Sequence, residues 1–111
     1  MLTSIVLATA VACAKAQTQV AMNACTAQAA KADDAREQRA YTALLGHVPP
    51  ADKPLVQTAE HSWSAYRDAE CKATTARFAG GSMAPMQYST CRSALDADRI
   101  RTLQNATKEG G

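Results

Sequence analysis

Four cysteines in a chain of 111 residues, Cys13, Cys25, Cys71 and Cys91, constrain the fold more than any other feature. Their spacings of 12, 46 and 20 match no common zinc pattern, and an even count in a short chain suits a disulfide framework. Closing a loop of 13 to 21 residues contributes on the order of 3 kcal/mol by restricting the unfolded chain, and persistent bridges require an oxidising compartment. The chain needs such support. Alanine supplies much of its 47% hydrophobic content and aromatics only 5%, so each buried side chain removes little apolar surface from water.

Between the cysteines the sequence reads as helices separated by strong breakers. From Thr18 to Leu45 there is no Pro and no Gly, and Ala, Gln, Glu, Lys and Arg predominate, which gives a helix of about 42 Å. Met22, Cys25, Ala29, Ala32, Ala40 and Leu44 recur along it at near-helical spacing, around a polar middle of Asp33, Asp34, Arg36 and Glu37. The segment Gly46-His47-Val48-Pro49-Pro50 stops it, with Gly46 suited to a left-handed cap. Asp52 can cap a second helix with Pro54 in its first turn, running to about Phe78 with Leu55, Ala59, Trp63, Tyr66 and Glu70 on one face. Ala79-Gly80-Gly81-Ser82 breaks the chain again. A third helix then runs from Ser82–Pro85 to about Ala106, with an inward stripe of Tyr88, Cys91, Leu95, Arg99 and Leu103 and a disordered tail over 107–111.

Short connections make consecutive helices antiparallel, so the expected fold is all-α, a small three-helix antiparallel bundle. The start of the first helix, the end of the second and the start of the third then share one pole, and all four cysteines fall there. Disulfide geometry, with Cα atoms within about 7 Å, is thereby accessible. The favoured pairing is Cys13 with Cys25 and Cys71 with Cys91, although the geometry admits the alternatives. Trp63, Tyr66, Arg67, Glu70 and Arg99 sit within the apolar stripes and read as structural core. A buried arginine needs a carboxylate, and Glu70 with Arg99 is the expected cross-helix pair.

Leu2 to Ala12 is an uncharged apolar run ending in Ala10-Val11-Ala12, the small-x-small pattern of a signal peptide over residues 1–12. No Lys or Arg precedes it, which leaves a start codon upstream open. A periplasmic or secreted location follows, with lipid attachment through Cys13 the lesser reading. No other stretch reaches the ~18 apolar residues that span a bilayer. Twelve Lys and Arg interleave with ten Asp and Glu for a net charge of +2, which offers no nucleic-acid-binding run.

Chemistry is sparse. His47 in a proline-rich turn and His61 on a polar face have no evident partner, no Cys-x-x-Cys motif is present, and Gly80-Gly81-Ser82 lacks the lysine and strand of a phosphate loop. Asp33-Asp34, Asp68-Glu70 and Asp96-Asp98 could supply paired carboxylates, but a thin bundle offers little pocket to tune them, so a solvated face is the expected role. No catalytic residue, cofactor or metal site is assigned.

Several runs, in order and in register, carry a resemblance. They are Cys13-Ala14-Lys15-Ala16-Gln17-Thr18-Gln19, Met22-Asn23-Ala24-Cys25, Trp63-Ser64-Ala65-Tyr66-Arg67-Asp68-Ala69-Glu70-Cys71 and Gly81-Ser82-Met83-Ala84-Pro85-Met86, followed by Cys91, Arg99 and Leu103. Over Cys13 to Leu103 the chain resembles the LprI-like lysozyme-inhibitor N-terminal domain family. It departs from the pattern at Glu37-Gln38, where a leucine-asparagine pair is usual, and at Glu60, where glutamine is usual.

The resemblance implies an exported, non-catalytic helical domain over residues 13–106. It also places Cys13 inside the domain, in favour of a disulfide over lipid. Its partner would be lysozyme or another envelope protein, contacted through exposed turns that include Gly80, Gly81, Ser82 and Pro85, with His47 to Lys53 at the other pole. The alternative is a structural or stress-related periplasmic protein. An inhibitor steered electrostatically to a basic animal lysozyme would be acidic, whereas +2 points to recognition led by shape.

Overall fold

A computed structural model describes residues 13–109. The signal-peptide segment and Gly110–Gly111 lie outside the described residues. Among the described residues the fold is built on three long helices, α1 (Gln19–His47), α2 (Lys53–Thr75) and α3 (Ala84–Glu109). Thr18 caps α1 by accepting a hydrogen bond from the Ala21 amide at 3.0 Å. Gly46 is not the cap expected from the sequence. The helix passes through it to His47 and ends because Val48, preceding Pro49, is held extended. Lys53 Nζ donates to the orphaned Leu45 carbonyl at 2.8 Å. Asp52 occupies the N-cap position of α2 without a side-chain cap bond, since the 3-10 turn Pro50–Asp52 leads directly into the helix.

α2 ends at Thr75, three residues before the expected Phe78, and tightens into a 3-10 turn over Ala76–Phe78. Gly80 follows with φ +82°, a conformation that penalises a side chain. α3 runs to Glu109, so the helix includes Thr107 to Glu109 of the expected disordered tail.

The chain is antiparallel from one helix to the next, so α1 and α3 run parallel and make the closest backbone approach. Cys13–Cys25 and Cys71–Cys91 are bridged, each with Cα atoms 5.6 Å apart, and no cysteine is left free. Both bridges lie at the pole foreseen from the topology.

Buried positions on α1 fall seven residues apart at Ala30, Glu37 and Leu44, and on α3 at Ser89, Asp96 and Leu103, with Ile100 between. Glu60, Arg67 and Cys71 are buried on α2. Spacing by sevens keeps one seam facing a neighbouring helix, as in a coiled coil, but the middle of each seam is charged. Leu44 and Leu103 are buried as their stripes require, whereas the stripe expected on α2 is rotated from the true one. Leu55, at 70% exposure, and Tyr66, at 52%, face outward on α2, and Tyr66 is not core.

Candidate functional site

The polar interior follows from the antiparallel register of α2 and α3. The Cys71–Cys91 bridge sets residue 70 level with residue 92, which leaves Glu70 seven residues, about 10 Å, from Arg99. The expected Glu70–Arg99 pair therefore does not form, and Glu70 is half-buried on α2. Arg99 instead donates through Nε and Nη2 to Glu60 Oε1 at 3.3 and 3.2 Å. Arg67, 8% exposed, donates to Asp96 Oδ1 at 3.1 Å across the same interface.

Two ionic layers result. The layer nearer the disulfides joins all three helices. Arg67 faces Asp34 at 3.5 Å, Asp68 at 3.0 Å and Asp96, while Arg92 reaches Asp34 at 2.9 Å and Asp68 at 2.5 Å. The second layer holds Glu37, Gln38, Glu60 and Arg99, with Gln38 Nε2 donating at 3.0 Å to both Glu37 and Glu60. Trp63 lies between the layers, with the Arg67 guanidinium carbon 5.0 Å and that of Arg99 5.5 Å from its ring centroid, within cation–π range. Asp34 and Asp96 were expected on a solvated face. Asp96 is instead fully buried and Asp34 half-buried, and Arg67 and Arg92 compensate their desolvation.

Each layer brings two carboxyl groups together, Glu37 with Glu60 and Asp96 with Asp34. Glu37 and Asp96 are both 0% exposed, and Glu37 Oε2, Asp34 Oδ1 and Asp96 Oδ2 have no conventional donor. Burial, followed by the hydrogen bond and charge of Glu60, pushes Glu37 up to about 7. Burial, then the hydrogen bond and charge of Asp34, pushes Asp96 up to about 8. Burial also acts upward on Asp34, but the Asp96 hydrogen bond and the Arg92 and Arg67 charges outweigh it and hold Asp34 below its ordinary value. For Asp68, burial is likewise outweighed by Arg67 and Arg92, and its carboxyl is lowered. A protonated Glu37 donating to Glu60, and a protonated Asp96 donating to Asp34, satisfy the orphaned oxygens.

This constellation can fix helix docking and hold protons. No group of three or more His, Cys, Asp or Glu side chains suited to a metal occurs among the described residues. The run Trp63 to Cys71 divides by face, with Trp63, Arg67 and Cys71 turned inward and Tyr66 turned out. Glu37, Gln38 and Glu60, the positions that depart from the family pattern noted above, meet in one layer. Asp34, Glu37, Glu60, Arg92 and Asp96 escaped the sequence reading, which indexed the helices on apolar residues. Glu37 and Asp96 fall on the sevenfold spacing 30/37/44 and 89/96/103, which the folded structure makes visible.

The turn expected to meet a partner is surface throughout, with Gly80, Gly81, Ser82 and Pro85 exposed. It is also pinned, since Asn23 Nδ2 donates to the Ser82 carbonyl at 2.9 Å and the Gly81 amide donates to the Phe78 carbonyl at 2.9 Å. No described helix is long and apolar enough to cross a membrane.

The family profile described as Lysozyme inhibitor LprI matches residues 11–103. An uncharacterized protein of Rhizobium meliloti (strain 1021) is 30% identical over 105 residues, covering 83% of this chain and 76% of the relative. No solved structure matches the chain.

Proposed function

Because the chain belongs to the LprI lysozyme-inhibitor family, we propose that it is an exported, non-catalytic domain of the bacterial envelope that inhibits a lysozyme by binding it. The observation that carries this reading is the extent of the match, which takes in both disulfides, both interhelical turns and the whole ionic interior. Two disulfides support residence outside the cytoplasm. The interior carboxyls are engaged by Arg67, Arg92 and Arg99, an architectural use that supports binding over turnover. Contact falls to rigid exposed turns, with Gly80, Gly81, Ser82 and Pro85 at the disulfide pole as the leading element. A turn already held by Asn23 and anchored beside the Cys71–Cys91 bridge loses little entropy on docking.

The test is the rate at which lysozyme clears a bacterial cell-wall suspension as the oxidised protein is titrated in. Saturable inhibition that weakens when Ser82 and Pro85 are replaced by bulky charged residues is expected. Folded, oxidised protein that leaves several lysozyme types unaffected would sink the proposal and favour a structural role in contact with another envelope protein.

A further inference from the structure

At the pole away from the disulfides, α1 and α3 leave between them a shallow trough of about 660 Å³. Ala40 and Ala43 from α1 and Ile100 from α3 supply its apolar surface, Gln104 and Thr107 of α3 also line it, and its rim carries Arg36, Arg39 and Lys108. Arg36 is committed to Asp33 at 2.6 Å, whereas Arg39 and Lys108 have no acidic partner within salt-bridge distance among the described residues. Two cations thus stand over apolar surface without compensation, and an anion is the complementary charge. The trough extends over the two turns from Arg36 to Ala43, about 11 Å. Its alanine floor has no deep recess for the Trp, Tyr or Leu anchor that a protein partner inserts. A thin polymethylene chain fits such a floor, and a carboxylate suits the rim.

We propose that this trough binds a single-chain anionic amphiphile of the fatty-acid class, with its tail along Ala40, Ala43 and Ile100 and its carboxylate held by Arg39 and Lys108. The two components are separable. Apolar burial of the tail gives affinity, and the paired cations select the head group. The site uses none of the turn residues assigned above to lysozyme, so it stands or falls independently of inhibition.

The test is titration of the oxidised full chain with dodecanoate, kept below its micelle concentration and followed by calorimetry and by amide NMR shifts. Saturable one-to-one binding is expected, with shifts clustered on the second halves of α1 and α3. Dodecyl maltoside, which carries a similar tail and no charge, should bind about tenfold more weakly, as should the double variant Arg39→Glu/Lys108→Glu. Ala43→Phe, which fills the floor and keeps both cations, should abolish binding while the melting temperature is retained. Unsaturable binding, shifts elsewhere, equal affinity for the neutral amphiphile, or unchanged affinity in either variant would overturn the proposal.

Discussion

Glu37→Gln should make this protein more stable in mild alkali while changing it little in mild acid. In the native state Glu37 titrates at about 7 instead of its ordinary 4.5, because it is buried against Glu60. Between those values the folded protein retains a proton that the unfolded chain has released, so stability falls as pH rises through this window. Below it both states are protonated and the cost vanishes; above it the cost is constant. The full shift corresponds to roughly 3 kcal/mol at 1.36 kcal/mol per pKa unit, and relaxation of Glu60 and Arg99 around the ionised pair brings the expected loss to about 1 to 3 kcal/mol. Glutamine has the shape of the protonated acid. Its amide can donate to Glu60 and its carbonyl can accept from Gln38, and it does not ionise.

Urea unfolding followed by circular dichroism, on oxidised wild type and variant at pH 5 and pH 8, measures the difference directly. The variant should match wild type within about 1 kcal/mol at pH 5 and exceed it by ~1 to 3 kcal/mol at pH 8, with the difference growing between the two. In melting temperature that gain is roughly 5 to 15 °C. Stability should keep declining towards pH 8 in both wild type and variant, because Asp96, which titrates at about 8, acts in the same direction. A variant-to-wild-type difference that is the same at both pH values would refute the shared-proton account of this layer.

Other consequences separate the inward from the outward half of the Trp63 to Cys71 run. Trp63→Ala removes the ring that both guanidiniums stack on and should cost ~3 to 5 kcal/mol in urea unfolding, whereas Tyr66→Ala, at an exposed site, should cost under about 1 kcal/mol. Arg67→Ala leaves the fully buried Asp96 without its arginine, while Asp34 keeps Arg92, and should cost about 3 to 5 kcal/mol, part of which Asp96→Asn in the same chain restores; calorimetric melting of the single and double variants checks this. Reduction of both bridges, which join residues 12 and 20 apart in sequence, should remove several kcal/mol and lower the melting temperature steeply, read by scanning with and without reductant.

Much of the architecture is legible before folding because its signals are local. Pro49 and Pro50 forbid continuation of α1, and the Ala79 to Ser82 breaker separates α2 from α3. Antiparallel topology then carries the four cysteines to one pole. Gly46 shows where a local rule yields to a stronger one, since the proline constraint on Val48 ends the helix before any left-handed glycine is needed. The site was less legible. Periodicity in apolar residues locates a seam only when the seam is apolar, and on α2 it selected Leu55 and Tyr66, which face outward.

The sequence by itself determined the helices, their order, the disulfide pole and the family, because breakers, cysteine positions and motif register are properties of the linear chain. Tertiary structure alone decided which face of each helix is buried and which charges meet. Glu37, Glu60, Asp96 and Arg67 are individually unfavourable in an interior, and no local signal marks them as buried. They become tolerable only together, when three helices bring arginines to carboxylates and carboxyls to one another within hydrogen-bonding distance, so that each charge is compensated by a partner far away in sequence.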